Sequence, residues 1–577
     1  MLTATTTSVS HWARFWYTDP GETETRTGEA ARTYHSPASL MHTGGSLKSL
    51  FDMREKLVSI STVVILLYLA WVWGGLHPVW IMPAVGASAV LLLGLCATSL
   101  KSAVDAEHSG TPWWRDAFFY CGLLFLGYLA IQWWNAGRAL FFDAGQQAWR
   151  YSSPPHPGWP SAFTKAEAAQ MLTWFFPAWV LGMVMRSPLL CKRTVLVMLR
   201  ALVYGAGLLA LVGIAQFATH ATARYWIRPA VGQFFASFGY TNHAAAFFVL
   251  MSAVAAGLLY REVFRTRPTE SKWAGAVQRA SLPEAPWRQL HREQSSAGRR
   301  LTVRMVALAA SLLLCLVGAN LSLSRAGVIL AWSLALFVAG YGLISGWRRF
   351  RPIVRVNMVA ATVATVCVLY FAVSGFGEKA IVQEFQVRKP IHHVLFPVLD
   401  NVNLALGGRP LLDRVALEIW RDNPVFGVGG WGYRYLLAFY VPKEDWKTVV
   451  EGFGKANVHC DVLQFLAEFG IIGSGLMLAT LLALFVPLRR PVVTAKVDRA
   501  EATVPDARVH GMRQGGARRA NPVLVMATIG LYLVVVFSLI DLPFRCPAIL
   551  CTWVVVLAAL PRLRRQNNSR HRSVASL

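Results

Sequence analysis

The segment Asn457-Val458-His459-Cys460-Asp461 leads directly into the apolar run VLQFLAEFGIIGSGLMLATLLALFVPL at residues 462–488. An apolar run of this length is long enough to cross a lipid bilayer as a helix. It therefore predicts a membrane span that begins immediately after a histidine, and it carries a carboxylate, Glu468, a few turns from its start. A histidine at the end of a span is well placed for chemistry on a membrane-bound substrate.

Similar apolar runs recur along the 577-residue chain, which is 55% hydrophobic and 15% charged, with a mean hydropathy of +0.42. The long runs show no strand alternation, so the expected fold class is all-α. We predict a polytopic helical membrane protein with about 12 transmembrane helices. The predicted spans cover residues 57–76, 79–100, 117–134, 169–185, 195–218, 243–260, 305–323, 327–345, 356–374, 462–487, 522–541 and 546–560.

The charge of the loops between these spans predicts their orientation. Alternate loops, such as 346–355 and 489–520, are rich in Lys and Arg, and short basic loops remain in the cytoplasm. Both termini are therefore expected to be cytoplasmic, and His459 is expected to lie outside the cytoplasm. The same loops account for the excess of 56 Lys and Arg over 30 Asp and Glu, so no nucleic-acid partner is expected.

The predicted domain organisation has three parts. Residues 1–52, rich in Thr, Ser, Gly and charge, are expected to form a disordered cytoplasmic tail. Residues 53–561 form the membrane domain, which includes a large, partly helical outer loop at 375–461. Residues 562–577 form a basic cytoplasmic tail.

The outer loop contains a predicted amphipathic helix. Apolar residues recur at helical spacing from Leu412 to Ile419, and Arg414 and Glu418 fall on the opposite side. Asn423-Pro424 is expected to end this helix, and GVGGWG at 427–432 supplies backbone that permits close approach. A long loop with its own helix is more often functional than a simple connection.

Five places on the predicted outer side carry polar residues where apolar ones would be less costly. They are SFGYTNHA at 237–244, LSLSRAG at 321–327, Gly407-Gly408-Arg409 with the later Asn423-Pro424 and Gly427-Val428-Gly429, Asn457-Val458-His459 with Glu468 and GIIG at 470–473, and DLPFR at 541–545.

The order of these motifs resembles the O-antigen ligase and O-antigen polymerase superfamily of bacterial envelope glycan enzymes, over residues 230–560. The family pattern has Asn-His at the start of a middle span, a Ser-Arg-Gly turn and Gly-Arg opening the periplasmic loop. These are followed by His-Pro and Gly-Val-Gly. The last motif is His-Asn, which precedes a span that contains Glu and Gly-Leu-Ile-Gly. This chain departs from that pattern at Ser324-Arg325-Ala326, Asn423-Pro424 and His459-Cys460.

The resemblance implies transfer of a glycan from undecaprenyl pyrophosphate to an acceptor hydroxyl, on the periplasmic side of the bacterial inner membrane. The implied partners are the lipid-linked glycan donor, a glycan or lipid acceptor, and membrane lipids. Pyrophosphate is already a good leaving group that arginine can neutralise, so no metal or other cofactor is expected.

His459 is the predicted general base, because histidine exchanges protons near neutral pH. Arg325 and Arg409 are the predicted pyrophosphate ligands, because a guanidinium binds phosphate through two parallel hydrogen bonds and stays charged. The remaining members of the predicted substrate-binding set are Asn242, His243, Glu468, Asp541 and Arg545.

Structural roles compete with several of these assignments. Arg325 could instead anchor its helix at the membrane interface. Arg409 could pair with a residue within the loop, and His459 could be an interfacial histidine whose hydrogen bonds are satisfied. Asn242-His243 also fits a cap at the start of a helix.

Glu468 shares one helix face with Asp461 and Gln464. A carboxylate in a span must face protein or water. The face therefore lines the cavity, orients His459 or an arginine, or forms a purely structural network. Cys460 and Cys546 both fall near predicted outer span ends, so a disulfide between them is an open question.

Three functions remain open at this stage. Ligase and polymerase share their chemistry and differ in the acceptor, which nothing in the sequence identifies. A transporter of lipid-linked glycan or polysaccharide is the alternative of another class, since twelve spans with both termini inside are common among transporters. Transporters tend to place ionisable residues near the midplane, whereas here the charges gather at the outer ends of the spans.

Overall fold

Helices dominate the computed structural model of the chain, and strands form only two short hairpins in its described part. The structure describes residues 43–104, 115–230, 233–265, 284–347, 409–442, 457–485 and 521–564, with residues 355, 356, 359, 360, 363 and 367.

The helices are numbered in chain order. They are α1 (Thr43–Trp71), α2 (Pro78–Val104), α3 (Ala117–Trp134), α4 (Lys165–Arg186), α5 (Lys192–Ala218), α6 (Thr241–Arg265), α7 (Glu284–Leu321), α8 (Arg325–Trp347), α9 (Arg409–Asp422), α10 (Tyr433–Tyr440), α11 (Asp461–Phe485), α12 (Pro522–Ser538) and α13 (Pro547–Arg564). Short 3₁₀ turns cover Trp73–Gly75 and Pro543–Arg545.

The strands pair as two antiparallel hairpins. Strand β1 (Leu140–Asp143) pairs with β2 (Ala148–Tyr151), and the register places Phe142 opposite Trp149. Strand β3 (Ala223–Arg224) pairs with β4 (Arg228–Pro229).

Nine helices of the described residues are long and apolar enough to cross a membrane: α2 to α8, α11 and α13. Helix α12 is apolar but shorter. The expected all-α class is confirmed, and the helices support a multi-pass membrane protein. The number of spans and their orientation stay predictions, and most of the predicted span 356–374 lies outside the described residues.

The boundaries at the N-terminal side differ from those expected. Helix α1 begins at Thr43, within the tail predicted to be disordered. It ends at Trp71, before the predicted limit of the first span, because Gly74 in the following turn has a left-handed backbone (φ 67°). Residues 1–42 and 565–577 of the predicted tails lie outside the described residues.

Helix α6 lies at the centre of the bundle, where it packs against α5, α7 and α12. Its many alanines and Gly257 let neighbouring helices approach closely, as small residues do between membrane helices. A Cβ on Gly257 would lie 2.9 Å from the Cα of Val523 in α12. Helices α6 and α12 are therefore in close contact at this point.

The loop helix α9 forms as its sequence predicts. Leu412, Val415 and Ile419 are buried, and Arg414 pairs with Glu418 through atoms 2.9 Å apart on the other side. The helix ends at Asp422, directly before Asn423-Pro424.

Helix α11 is broken at Gly470, which has φ 61° and ψ −167°. Residues with a side chain rarely adopt this conformation. A Cβ at Gly470 would also collide with the backbone of Val425 and Gly427. The break therefore depends on glycine and on the segment that follows α9.

That segment satisfies the backbone groups that the break leaves without helical partners. Four hydrogen bonds join the two, two in each direction: Val428 N to Ala467 O (3.0 Å), Gly429 N to Glu468 O (2.8 Å), Ile471 N to Pro424 O (2.8 Å) and Ile472 N to Val425 O (3.1 Å). The Tyr128 hydroxyl of α3 donates from the other side, 2.6 Å from the carbonyl oxygen of Phe426. Non-helical backbone among membrane helices is tolerated only when it is satisfied in this way.

We expect Gly470→Ala to lower thermal stability markedly, because alanine collides with backbone atoms and cannot adopt the local φ and ψ without strain of about 1–3 kcal/mol. Gly475→Ala is the matched control. It lies in the same helix with no atom within 4 Å of a built Cβ, and alanine is the better helix former there by about 1 kcal/mol. Thermal unfolding of the purified protein in detergent measures both. A Gly470→Ala protein as stable as the Gly475→Ala protein would contradict the account of the break.

Candidate active site

A cavity of about 220 Å³ lies where several segments that connect helices meet. Three predicted site residues, His243, His459 and Arg545, line it. The other lining residues are Leu76, Tyr240, Trp431, Asn457 and Leu542. The fold therefore gathers at one place the start of α6, the approach to α11 and the connection between α12 and α13.

Asp541 is the buried charge that joins these segments. Its Oδ2 accepts hydrogen bonds from the Tyr240 hydroxyl (2.9 Å) and from the Asn242 amide, and Arg409 Nη2 lies 3.5 Å away. The backbone amide of Leu542 donates to its Oδ1 (2.7 Å). Two segments distant in sequence, residues 240–242 and Arg409, thus converge on the carboxylate of Asp541.

The environment of Asp541 favours its charged form. Burial opposes ionisation, but the interactions with His459, the Leu542 amide and Arg409 outweigh it and lower the pKa of this carboxyl below its ordinary value. Asp541 is therefore negatively charged at neutral pH and lies behind the cavity wall. Burial, and then the proximity of Asp541, raise the pKa of the Tyr240 hydroxyl, so that residue stays a neutral donor.

His459 lies beside this carboxylate and reaches the cavity. Its Nδ1 is 3.9 Å from Asp541 Oδ1, within ion-pair range but beyond a hydrogen bond. Its side chain is 24% exposed, and its backbone is left-handed with φ 62°. Such a conformation is uncommon for a residue other than glycine, so the surroundings must hold it.

Arg545 and Glu468 form an ion pair beneath the cavity. The Arg545 side chain is 3% exposed, and Glu468 is fully buried. The guanidinium carbon of Arg545 lies 4.8 Å from the ring centre of Trp431 and 4.9 Å from that of Phe465. Glu468 does not line the cavity but orients an arginine that does, which is one of the roles its helix face predicted.

The remaining predicted residues fall into two groups. Asn242 and Arg409 meet at Asp541, and Arg409 also donates to the Ile540 carbonyl (2.6 Å). The side chain of Asn242 serves this contact and not a helix cap. Arg325 begins α8 and does not line the cavity.

The turn that carries Arg325 lies close to the site all the same. A Cβ on Gly327, in the same turn, would collide with Ala245 of α6, two residues after His243. Leu323 just before it has φ 59°, which makes the tight turn that the sequence predicted. The predicted role of Arg325 stays a prediction.

Trp431 and Tyr240 are cavity residues that the sequence did not single out. Trp431 has φ 62° and carries a second guanidinium, that of Arg434, 4.0 Å from its ring centre. A single tryptophan within the glycine-rich stretch 427–432 was the available signal. Tyr240 lies two positions before Asn242 in a motif that was already chosen for its polar residues.

The described residues hold neither a metal-binding cluster nor a disulfide between Cys460 and Cys546. Among them, no group of three or more His, Cys, Asp or Glu is placed to hold a metal ion. Cys460 and Cys546 are both free thiols, which answers the open question of a bond between them.

Fold and site together define a helical, multi-pass membrane protein with a polar, charge-lined cavity at one end of its helices. Residues 310–478 match the family model described as O-antigen ligase. This match confirms the resemblance to the O-antigen ligase/polymerase superfamily that the order of motifs indicated. No curated protein matches the chain.

The matched segment holds half of the predicted site. Arg325, Arg409, His459 and Glu468 lie inside it. The other members, Asn242, His243, Asp541 and Arg545, lie outside the matched segment. The fold nevertheless packs most of both groups around the same cavity.

We expect Glu468→Gln to destabilise the protein strongly, because it leaves the Arg545 charge buried without its partner, at a cost of about 3–5 kcal/mol. The double variant Glu468→Gln with Arg545→Met should recover much of the loss, since neither charge then remains. Glu418→Gln is the control, because the exposed pair it breaks contributes only about 0–1 kcal/mol. Thermal unfolding in detergent measures all three. A Glu468→Gln loss no larger than that of Glu418→Gln would refute the buried-pair account.

Proposed function

We propose that the protein is a membrane glycosyltransferase of the O-antigen ligase type. It transfers a glycan from undecaprenyl pyrophosphate to an acceptor hydroxyl on the periplasmic face of the bacterial inner membrane. The observation that carries the proposal is the convergence of His459, Arg545 and the Asp541 contacts on one cavity. The family match of residues 310–478 supports the same class of reaction.

His459 is the general base in this proposal. It takes the proton from the acceptor hydroxyl while the oxygen attacks the anomeric carbon of the donor sugar. The bond from that carbon to the pyrophosphate oxygen breaks, and the lipid-linked pyrophosphate leaves. Asp541, 3.9 Å from Nδ1, stabilises the imidazolium that forms, as a buried aspartate does beside other catalytic histidines.

Arginines neutralise the leaving pyrophosphate. Arg545 lines the cavity, and its guanidinium has five N–H donors, of which Glu468 uses only part. Arg409 is 30% exposed beside Asp541 and is the second candidate. Arg325, at the start of α8, is the third if the neighbouring turn moves towards the cavity on binding. Charge neutralisation by guanidinium groups makes a metal unnecessary in this scheme.

The polymerase function uses the same chemistry with a second lipid-linked repeat as the acceptor. The family match supports this class of reaction in general. The cavity residues account for donor binding and for the general base. The choice between ligase and polymerase therefore depends on an acceptor surface that these residues do not define. The transporter alternative is disfavoured, because the charged residues gather at the ends of the helices and not at their middles.

We expect His459→Asn to reduce glycan transfer by about 10²–10⁴-fold, the usual contribution of a general base. Asparagine tolerates a left-handed backbone, so the change removes the base without straining the segment. His220→Asn is the matched control, since His220 is exposed and also left-handed (φ 48°). The assay follows transfer by purified protein in proteoliposomes. A His459→Asn protein that transfers as fast as the His220→Asn protein would remove His459 from the mechanism.

Analysis of envelope glycan after deletion of the gene separates the two family functions. A ligase deletion should abolish attached glycan chains while lipid-linked chains accumulate. A polymerase deletion should leave acceptors that carry single repeats. Unchanged envelope glycan would contradict both.

A further inference from the structure

Gln464 has a hydrogen-bonding partner for each polar atom of its carboxamide, although its side chain is only 1% exposed. Its Nε2 donates to Glu468 Oε1 (2.9 Å) and to Asn457 Oδ1 (3.2 Å). Its Oε1 accepts from the backbone amide of Val458 (3.2 Å). The carboxamide thus joins two segments, and the proposed mechanism gives it no role.

The partners of Gln464 are the parts of the site that must be held at a fixed separation. Asn457 and Val458 immediately precede His459, and we call residues 457–459 the base-bearing segment. Glu468 holds Arg545 in the cavity wall. The carboxamide therefore links the base-bearing segment to the ion pair beneath the cavity.

Asp461, one turn earlier on the same face of α11, holds the connection between α12 and α13. Its Oδ2 accepts from the amide of Phe544 (2.9 Å), and its own amide donates to the Asp541 carbonyl (3.3 Å). One helix face thus fixes both the base-bearing segment and the segment of Asp541. These contacts hold the backbones that carry His459 and Asp541 against the same helix.

We propose that Gln464 is a positioning residue of the transfer reaction, which holds His459 at the cavity without touching the substrate. The left-handed backbone of His459 persists only where its surroundings impose it, and the bond from Val458 is one of those constraints. Glutamine is required because it donates and accepts at once. Glutamate would lose both donor bonds and repel Glu468, and methionine of similar length would form none of the three. The proposal rests on the role proposed for His459.

Gln464→Met tests this with two measurements on the purified full-length protein. The first is steady-state transfer. We expect kcat to fall about 10- to 100-fold, the scale of a misplacement near 1 Å, while the KM for the lipid-linked donor stays close to wild type. Thr480→Val is the control, because Thr480 lies in the same helix and its hydroxyl bonds the Leu476 carbonyl of that helix. It should change neither quantity.

The second measurement uses cysteines already present in the chain. Cys460 follows His459 directly and is buried, and burial raises the pKa of its thiol, so it reacts slowly with a maleimide. Release of the base-bearing segment should increase its labelling several-fold in Gln464→Met but not in Thr480→Val. Cys315 and Cys551, buried in the helix bundle, report global unfolding and should stay unlabelled. Peptide mass spectrometry quantifies each cysteine separately.

Three outcomes would overturn the proposal. Wild-type kcat in Gln464→Met would show that the contacts are dispensable, and a lower kcat with unchanged Cys460 labelling would show that the segment is held by other means. Labelling of Cys315 and Cys551 together with Cys460, both in Gln464→Met and in the second variant below, would reduce Gln464 to a residue needed for folding.

Gln464→Glu is the second variant if the methionine variant unfolds. It retains an acceptor for Val458 but loses both donor bonds, so it should also show a lower kcat together with higher labelling of Cys460. If Cys460 stays unlabelled and kcat stays at the wild-type value in this variant, the proposal is likewise overturned. If His459→Asn transfers normally, the proposed function fails first, and that result is distinct from any obtained with Gln464.

Discussion

The break of α11 at Gly470 is the constraint on which the site depends. A continuous helix would have no free backbone groups at residues 467–472 to receive the segment that follows α9. Because the break exposes them, four hydrogen bonds fasten that segment to α11, and Trp431 comes to lie beside Arg545. One glycine backbone conformation in an apolar helix thus shapes a wall of the cavity.

The polar side of α11 then distributes charge around the cavity. Glu468 neutralises Arg545 below it, and Asp461 holds the connection between α12 and α13. Gln464 joins the base-bearing segment to Glu468. On the far side, Asp541 gathers Asn242 and Arg409. Charges among membrane helices are costly unless paired, so this network explains how a charged site can exist at the end of an apolar bundle.

Much of this arrangement could be predicted from the sequence, and the parts that could not have a common cause. Hydropathy predicts helices, and the spacing from Leu412 to Ile419 predicted α9 with its buried face. Hydropathy averages over Gly470, however, so it cannot show a break that only tertiary hydrogen bonds stabilise. The pairing of Glu468 with Arg545 and the role of Trp431 likewise depend on contacts between segments far apart in the chain, which no local pattern encodes.

The most direct test of the central claim is a cryo-electron microscopy structure of the protein with a lipid-linked glycan donor. The account predicts pyrophosphate density within the cavity, in hydrogen-bond range of Arg545 or Arg409, with the first sugar facing His459. Pyrophosphate bound elsewhere, with His459 remote from the anomeric carbon, would contradict it.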